Sequence, residues 1–147
     1  MTCNETLFDV ITSIEAYPFD GVSSTRTMTE HNKFVNEDEL ALDKSSMLLV
    51  PMKPKSCSPD EKPGLEISGD SYEVTVSWNI LFMDNDTYRV LKYLHDNPNH
   101  LILRTYSGKG YFIRCEEEAY SFSYMEKKGL MECELKIHNK SGIQRIL

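Results

Sequence analysis

Apolar and polar residues alternate along residues 71–82, Ser-Tyr-Glu-Val-Thr-Val-Ser-Trp-Asn-Ile-Leu-Phe. In an extended chain the apolar side chains share one face: Tyr72, Val74, Val76, Trp78, Ile80 and Phe82. The polar side chains share the other: Ser71, Glu73, Thr75, Ser77 and Asn79. A period of two is typical of a strand that is buried on one side. The pattern therefore predicts a half-buried strand of an antiparallel sheet.

A helical pattern follows this strand. Residues 84–86, Asp-Asn-Asp, offer side-chain oxygens that can cap the first N–H groups of a helix. Val90, Leu91 and Leu94 then form a narrow apolar stripe at helical spacing. Residues 97–99, Asn-Pro-Asn, end the pattern because proline cannot continue the hydrogen-bond ladder. We expect one helix of about three turns that covers an end or a face of the sheet.

Four more strands are predicted after the helix, over residues 100–106, 111–115, 118–125 and 130–138. Ser-Gly-Lys-Gly joins the first two, and Glu-Lys-Lys-Gly joins the last two, which are signals for tight hairpins. Adjacent strands with short turns favour antiparallel pairing. The predicted fold class is mostly β (α+β): an antiparallel β-sandwich or a partly closed barrel, with one flanking helix and long loops.

The first half of the chain is less regular. Residues 7–19 indicate one or two strands, with a short helix as the alternative, and residues 47–50 indicate a short strand. Residues 21–46 are polar around a few apolar anchors, and residues 51–70 begin with a proline-rich stretch that predicts an extended loop. We expect one domain, residues 1–147, with these two long loops and a C-terminal tail at 139–147.

Long loops are uncommon in compact domains and are usually functional or disordered. They favour an interaction role, with loops that have no partner as the alternative. The formal net charge of −7 disfavours nucleic-acid binding, which needs clustered Lys and Arg. The chain start has no secretory pattern, and no stretch approaches the roughly 20 apolar residues of a membrane helix. We expect a protein that is made and folded in the cytosol, without membrane insertion.

The spacing of cysteine, histidine, glycine and serine residues does not match the common catalytic and metal-binding motifs. Cys3, Cys57, Cys115 and Cys133 contain no CxxC pair, so buried free thiols are favoured over a metal site, with a Cys115–Cys133 pair as the alternative. Residues 108–110, Gly-Lys-Gly, lack the P-loop pattern and join two strands. The histidines have no metal-ligand spacing, and no serine lies in GxSxG. The sequence therefore predicts no catalytic residue, no metal ligand and no cofactor.

The second half carries the most distinctive order of elements. It has the strand and helix of residues 72–97, then Tyr-Ser-Phe-Ser-Tyr at 120–124, a turn at Gly129 and Met-Glu-Cys-Glu-Leu-Lys-Ile at 131–137. In this order residues 71–147 resemble the tail-tube and tail-terminator-like proteins of phages and related injection systems. The likeness is one of architecture and pattern, without a diagnostic motif, and the first half of the chain lies outside it.

The resemblance implies a virion tail or head–tail connector subunit that forms a homo-oligomeric ring, usually hexameric, around a channel. DNA would pass through this channel without sequence-specific binding, and the other partners would be further virion proteins. Glu73, Glu132 and Glu134 would line the channel or an inter-ring face. The expected subunit interface consists of apolar residues of the first loop and the tail: Phe34, Val35, Leu40, Leu42, Ile143, Ile146 and Leu147. A tail that packs on its own domain is the alternative.

Two other functions stay open at this point. A monomeric β-sandwich that binds a carbohydrate or a protein would use an aromatic cleft, with Tyr106 and Tyr111 beside the Ser107–Gly110 turn as its candidates. An enzyme would assemble its site from residues that are distant in sequence. The aromatic residues of 120–124 could form a stacking platform, although alternating strand aromatics are more often core. We expect an assembly subunit, synthesised in the host cytoplasm and incorporated into the virion.

Overall fold

The computed structural model describes residues 10–19, 33–40, 42–63, 71–81, 83–116 and 119–147. The strands in these ranges are β1 (Ile11–Pro18), β2 (Phe34–Val35), β3 (Leu48–Val50), β4 (Ser58–Pro63), β5 (Tyr72–Ile80), β6 (Asn99–Thr105), β7 (Gly110–Ile113), β8 (Tyr120–Lys127), β9 (Leu130–Asn139) and β10 (Ile143–Ile146). Helix α1 is Asn85–Asp96, and two short 3-10 turns are Glu37–Glu39 and Lys44–Ser46.

The strands form two sheets that face each other. The six-stranded sheet has the order β2-β10-β7-β6-β1-β3, and the four-stranded sheet has the order β4-β5-β9-β8. All neighbouring strands are antiparallel except β10 and β2, which are parallel. The mostly-β prediction with one helix is confirmed, and the two sheets form a sandwich rather than a closed barrel.

The core lies between the sheets and follows the alternation seen in the sequence. On β5 the inward residues Val74, Val76, Trp78 and Ile80 are buried. They pair across to the alternating residues of β9 and face apolar residues of β1, β6 and β7. Leu91 and Leu94 of α1 complete this core. The apolar periodicity thus places the hydrophobic faces of β5 and β9 between the layers.

Helix α1 begins and ends at the predicted signals. The Asp84 side chain caps it by accepting a hydrogen bond from the Thr87 N–H at 2.8 Å. The helix ends at Asp96, two residues before Pro98. Tyr120, at the start of β8, donates a hydrogen bond from its hydroxyl to the Leu94 carbonyl at 2.6 Å. Helix α1 therefore packs beside the β8 side of the sandwich, and none of the described helices is long and apolar enough to cross a membrane.

Several predictions for the loops and for the C-terminal tail need correction. The described part of the expected loop 51–70 contains strand β4, and the described part of 21–46 contains β2 and both 3-10 turns. The expected tail 139–147 forms β10 inside the six-stranded sheet. Residues 10–19 contain a single strand, and residues 21–32, 41 and 64–70 of the expected loops lie outside the described residues. The segments of β2, β4 and β10 become strands by pairing with residues that are distant in sequence, and local composition does not encode this pairing.

Candidate interaction surfaces

Residues 33–40 and 42–46, here called the strap, cross the outer face of the six-stranded sheet. Val35 and Leu40 of the strap are buried there against Ile102 and Phe112, which are both fully buried. Leu42 and Ile146 pack against the same cluster. Four of the residues expected in a subunit interface, Val35, Leu40, Leu42 and Ile146, therefore pack inside their own domain. The strap covers this sheet face as a partner would, so the face is already occupied.

An ion-pair network fixes the strap to the sheet. The Arg104 guanidinium donates to Glu15 from Nε at 3.1 Å and to Glu37 of the strap from Nη1 at 2.8 Å. Lys44 pairs with the other Glu37 oxygen at 2.5 Å. The Tyr17 hydroxyl donates to Glu15 at 2.6 Å, and the Lys44 ammonium lies 5.3 Å from the centre of the Tyr17 ring. Side chains from β1, β6 and the strap thus meet in one connected cluster.

The network shifts the ionisation of its members. Hydrogen bonds from Arg104, and next from Lys44, lower the pKa of Glu37 to about 2. Burial, followed by the hydrogen bond to Glu15, raises the pKa of Tyr17 above its ordinary value. Burial works against the charged form of Arg104, but hydrogen bonds to Glu37 and Glu15 raise its pKa. At neutral pH Glu37 and Arg104 are therefore charged, and their ion pair works as an electrostatic clamp between the strap and β6.

Glu73, Glu132 and Glu134 share the outer face of the four-stranded sheet, as the strand pattern predicts. Lys136 lies 3.8 Å from Glu73 and 3.5 Å from Glu134, between their carboxylates. His138 lies 3.7 Å from Glu73. Hydroxyl side chains occupy much of the remaining face: Ser58, Thr75, Ser77, Ser121 and Ser123. The face is therefore polar and of mixed charge rather than uniformly acidic.

The predicted tail is held by a polar latch at the start of β10. Asn139 accepts a hydrogen bond from the Gly142 N–H at 2.6 Å and donates one to the Arg114 carbonyl at 2.8 Å. Glu61 of β4 accepts from the Ile143 N–H at 2.6 Å, which joins the two sheets. Ile143 itself is buried in the main core. The prediction that Ile143 docks on a partner subunit is therefore wrong, because this side chain packs in the core of its own domain.

Exposed apolar side chains gather at one end of the six-stranded sheet. Val10, Tyr106 and Leu147 lie at the ends of β1, β6 and β10 and are 46%, 85% and 74% exposed. The Tyr106 N–H donates to the Val10 carbonyl, and Ile146 is opposite Gly110 at the far side of the β6–β7 hairpin. Phe34 on the neighbouring strand β2 is 53% exposed. We call Val10, Phe34, Tyr106 and Leu147 the apolar rim.

Two of the expected interface residues, Phe34 and Leu147, thus belong to the rim and are exposed. The aromatic cleft proposed from Tyr106 and Tyr111 does not form, because Tyr111 is buried in the core while Tyr106 points out at the hairpin. Arg104 was not identified from the sequence as the centre of the clamp. The feature that could have indicated this role is a charged residue inside the apolar run His-Leu-Ile-Leu-Arg-Thr of β6.

The edges of the two sheets differ in how far they can pair with another chain. Strand β2 has two residues, and β3 has three and is followed by Pro51. Strand β4 has Pro59 and Pro63, whereas β8 has eight residues and no proline. Short strands and prolines blunt an edge against further pairing. In the described part of the chain β8 is the long edge that lacks these features.

Cysteine and histidine chemistry does not assemble among the described residues. Cys57, Cys115 and Cys133 are free, and burial raises the pKa of each thiol to about 12. Cys115 follows β7 of one sheet and Cys133 lies in β9 of the other, so they do not face each other across paired strands. No group of three metal-ligating side chains occurs in the described ranges. His100 is buried and accepts a hydrogen bond from the Cys115 N–H at 2.8 Å, a structural role.

Comparison of the chain with protein-family models, with curated proteins and with solved structures gives no match.

Proposed function

We propose that this protein is a non-enzymatic assembly subunit that associates with further copies of itself. The apolar rim is the observation that supports this proposal. Three of its side chains lie at the same end of strands that are near neighbours in one sheet, in the order β10-β7-β6-β1. Strands are spaced about 4.8 Å apart, so the rim extends over roughly 15 Å from β1 to β10. A gathering of exposed apolar side chains is typical of a protein contact surface.

The rim residues differ from isolated exposed side chains elsewhere on the surface. Tyr106 is 85% exposed at a hairpin tip, and Leu147 is 74% exposed at the end of β10, two strands away in the sheet. Burying such side chains removes apolar area from water at about 25 cal/mol per Å². Aromatic residues at the centre of a contact contribute more than most other residue types. Self-association would therefore be stabilised at this end of the sandwich.

We further propose that the assembly is a ring in a virion tail or head–tail connector, with other virion proteins as additional partners. The supporting observation is the two-layer sandwich with one helix beside it, which is the architecture that the resemblance of residues 71–147 implies. In such a ring the polar face that carries Glu73, Glu132 and Glu134 would line the channel or an inter-ring contact. Its mixed charge would let DNA pass without tight binding.

Light scattering behind a sizing column tests the self-association over a concentration series. The double variant Tyr106→Ser, Leu147→Ser removes two apolar side chains of the rim. Tyr88→Ser on α1 is the matched control, because Tyr88 is also exposed but lies away from the rim. We expect the mass of the unaltered protein to rise with concentration, the rim variant to associate at least tenfold more weakly, and the control to match the unaltered protein. Negative-stain images of the largest species show whether it is a ring.

A single-chain mass at every concentration would contradict the proposed function. Equal association of the rim variant and the unaltered protein would contradict the role of the rim. An assembly of open filaments or dimers alone would contradict the ring.

A further inference from the structure

Strand β8 presents unused backbone hydrogen-bonding groups along its outer edge. The His138 N–H donates to the Ala119 carbonyl, so the odd-numbered residues of this strand direct their N–H and C=O groups toward β9. In an antiparallel strand these directions alternate. The even-numbered residues Tyr120, Phe122, Tyr124 and Glu126 therefore direct theirs outward, and their N–H groups make no hydrogen bond within the described residues.

Part of this edge is also accessible. Tyr120 is half-buried and bonded to the end of α1, whereas the residues from Ser123 to Lys127 are all exposed. Met125 is 64% exposed, on the outer face of the sheet. Lys127 lies at the turn end of this exposed part, whereas Tyr124 and Met125 at its centre are unlike the Lys and Pro residues that commonly protect edges. The half of β8 from Ser123 to Lys127 is an open template for another strand.

The opposite edge of the same sheet is closed by proline. The Asn79 carbonyl accepts from Lys53 on the β4 side, so the odd-numbered residues of β5 bond toward β4. Their partners in β4 are Ser58, Asp60 and Lys62. Pro59 and Pro63 consequently occupy outward positions, where they have no N–H to offer. A head-to-tail contact of β8 with β4 of another copy is therefore unfavourable.

We propose that β8 pairs antiparallel with β8 of a second copy, joining two four-stranded sheets across a two-fold axis near Met125. The inference rests on the proposed self-association and names one of its contacts. The outer edge of β8 has free backbone groups, whereas prolines block the outer edge of β4. A two-fold contact uses the same strand on both copies, so it needs only the β8 edge. A ring would need a second, head-to-tail contact elsewhere, for which the apolar rim is available.

The side chains of β8 complement each other in this pairing. With Met125 on the axis, Tyr124 lies opposite Glu126 of the second copy, and Lys127 lies opposite Ser123 of the second copy. Ser123 pairs with Glu134 in the neighbouring strand β9. Lys127 can thus reach Glu134 of the second copy one strand further on. No like charges are opposite each other, and the exposed Met125 side chains meet and are covered.

Two variants test the pairing by different routes. Glu126→Pro removes an outward N–H, and Pro59 and Pro63 show that outward positions of an edge strand in this sheet accept proline. Met125→Lys leaves the backbone unchanged and places two positive charges opposite each other at the axis. Met47→Lys is the matched control, because Met47 is an exposed methionine beside the edge strand of the other sheet. Sedimentation equilibrium measures the association of each protein, and thermal melting checks its fold.

We expect both β8 variants to associate at least tenfold more weakly than the unaltered protein and the control to associate equally well. Unchanged association of folded Glu126→Pro and Met125→Lys proteins would overturn the β8 pairing. If the rim variant alone dissociates, the proposed function stands and this inference fails. A single-chain mass for the unaltered protein at every concentration would overturn both.

Discussion

Trp78 is the largest side chain that is fully buried in the core. Its ring stacks on that of Phe122, with centroids 5.6 Å apart and planes inclined by 19°. The indole Nε1–H has no hydrogen-bond partner within the described residues. The residue therefore stabilises the sandwich by apolar packing between β5 and β8, while its buried N–H costs free energy.

Trp78→Ala is expected to lower the free energy of unfolding by about 3–5 kcal/mol, because it leaves a large cavity between the sheets. Trp78→Phe keeps a ring on Phe122 and removes the N–H that lacks a partner, so we expect a smaller loss of about 1–2 kcal/mol. Urea unfolding of the three proteins measures both changes. A loss below about 1 kcal/mol for Trp78→Ala would contradict the core position of this residue.

At the scale of elements, the strap and β10 are the parts that join the sheet through distant contacts. The strap is fixed by the clamp of Arg104 and Glu37, and β10 lies between β7 and β2. Both elements lie in segments whose composition indicates loops. Their order therefore depends on tertiary packing and ion pairing more than on local propensity.

Because of the clamp, the free energy of unfolding is expected to decrease at acid pH. The folded pKa of Glu37, about 2, is below its ordinary value of 4.5. Its contribution is therefore complete above the ordinary value and is lost as the pH falls from about 4.5 toward about 2. Glu37→Gln should unfold more easily at neutral pH and lose less of its stability between neutral pH and about pH 3. Urea unfolding across this range checks both, and identical pH profiles of the two proteins would contradict the clamp.

Deleting residues 143–147 is expected to abolish cooperative unfolding or to lower the melting temperature sharply. The deletion removes β10, uncovers the edge of β7 and takes Ile143 out of the core. Leu147→Ser is the control and should change the free energy of unfolding by no more than about 0.5 kcal/mol, since Leu147 is exposed. Circular dichroism during heating measures both. A deletion protein with unaltered melting would show that β10 is dispensable for folding.

The sequence predicts the regular elements because their information is local. The alternation on β5 and β9 and the cap at Asp84 need no distant partner to be recognised. Strand β4 escaped prediction because Pro59 and Pro63 argue against a strand, and only its edge position makes them compatible with one. Strand β10 is short and has polar Gln144 and Arg145 at its centre, so its own residues do not indicate a strand. It becomes a strand because it pairs with β7.

The candidate surfaces were predictable only in part. Phe34 and Leu147 were expected at an interface and are exposed in the rim, whereas Val35, Leu40 and Ile143 are buried. Apolar residues in a polar segment indicate a contact, but they do not distinguish the protein's own sheet from a second copy. The sequence does not indicate that β8 is an edge strand, because this depends on the order of the strands in the folded sheet.

At the scale of the whole molecule, the sandwich has two surfaces suited to self-association that face different neighbours. The apolar rim lies at one end of the six-stranded sheet, and the open half of β8 lies at the edge of the four-stranded sheet. A two-fold contact alone closes into a dimer, whereas a second contact of another kind permits a larger assembly. We propose self-assembly through both surfaces, with a ring as the assembled form.

Amide hydrogen exchange at low and high protein concentration tests self-assembly in the unaltered chain, because it reports on each residue separately. We expect the outward amides of Tyr124 and Glu126, and the amide of Ser107 next to Tyr106, to exchange rapidly in dilute solution. At high concentration they should become protected, while the amides of β5 and β9 stay slow throughout. The same exchange rates at every concentration would contradict self-assembly through these surfaces.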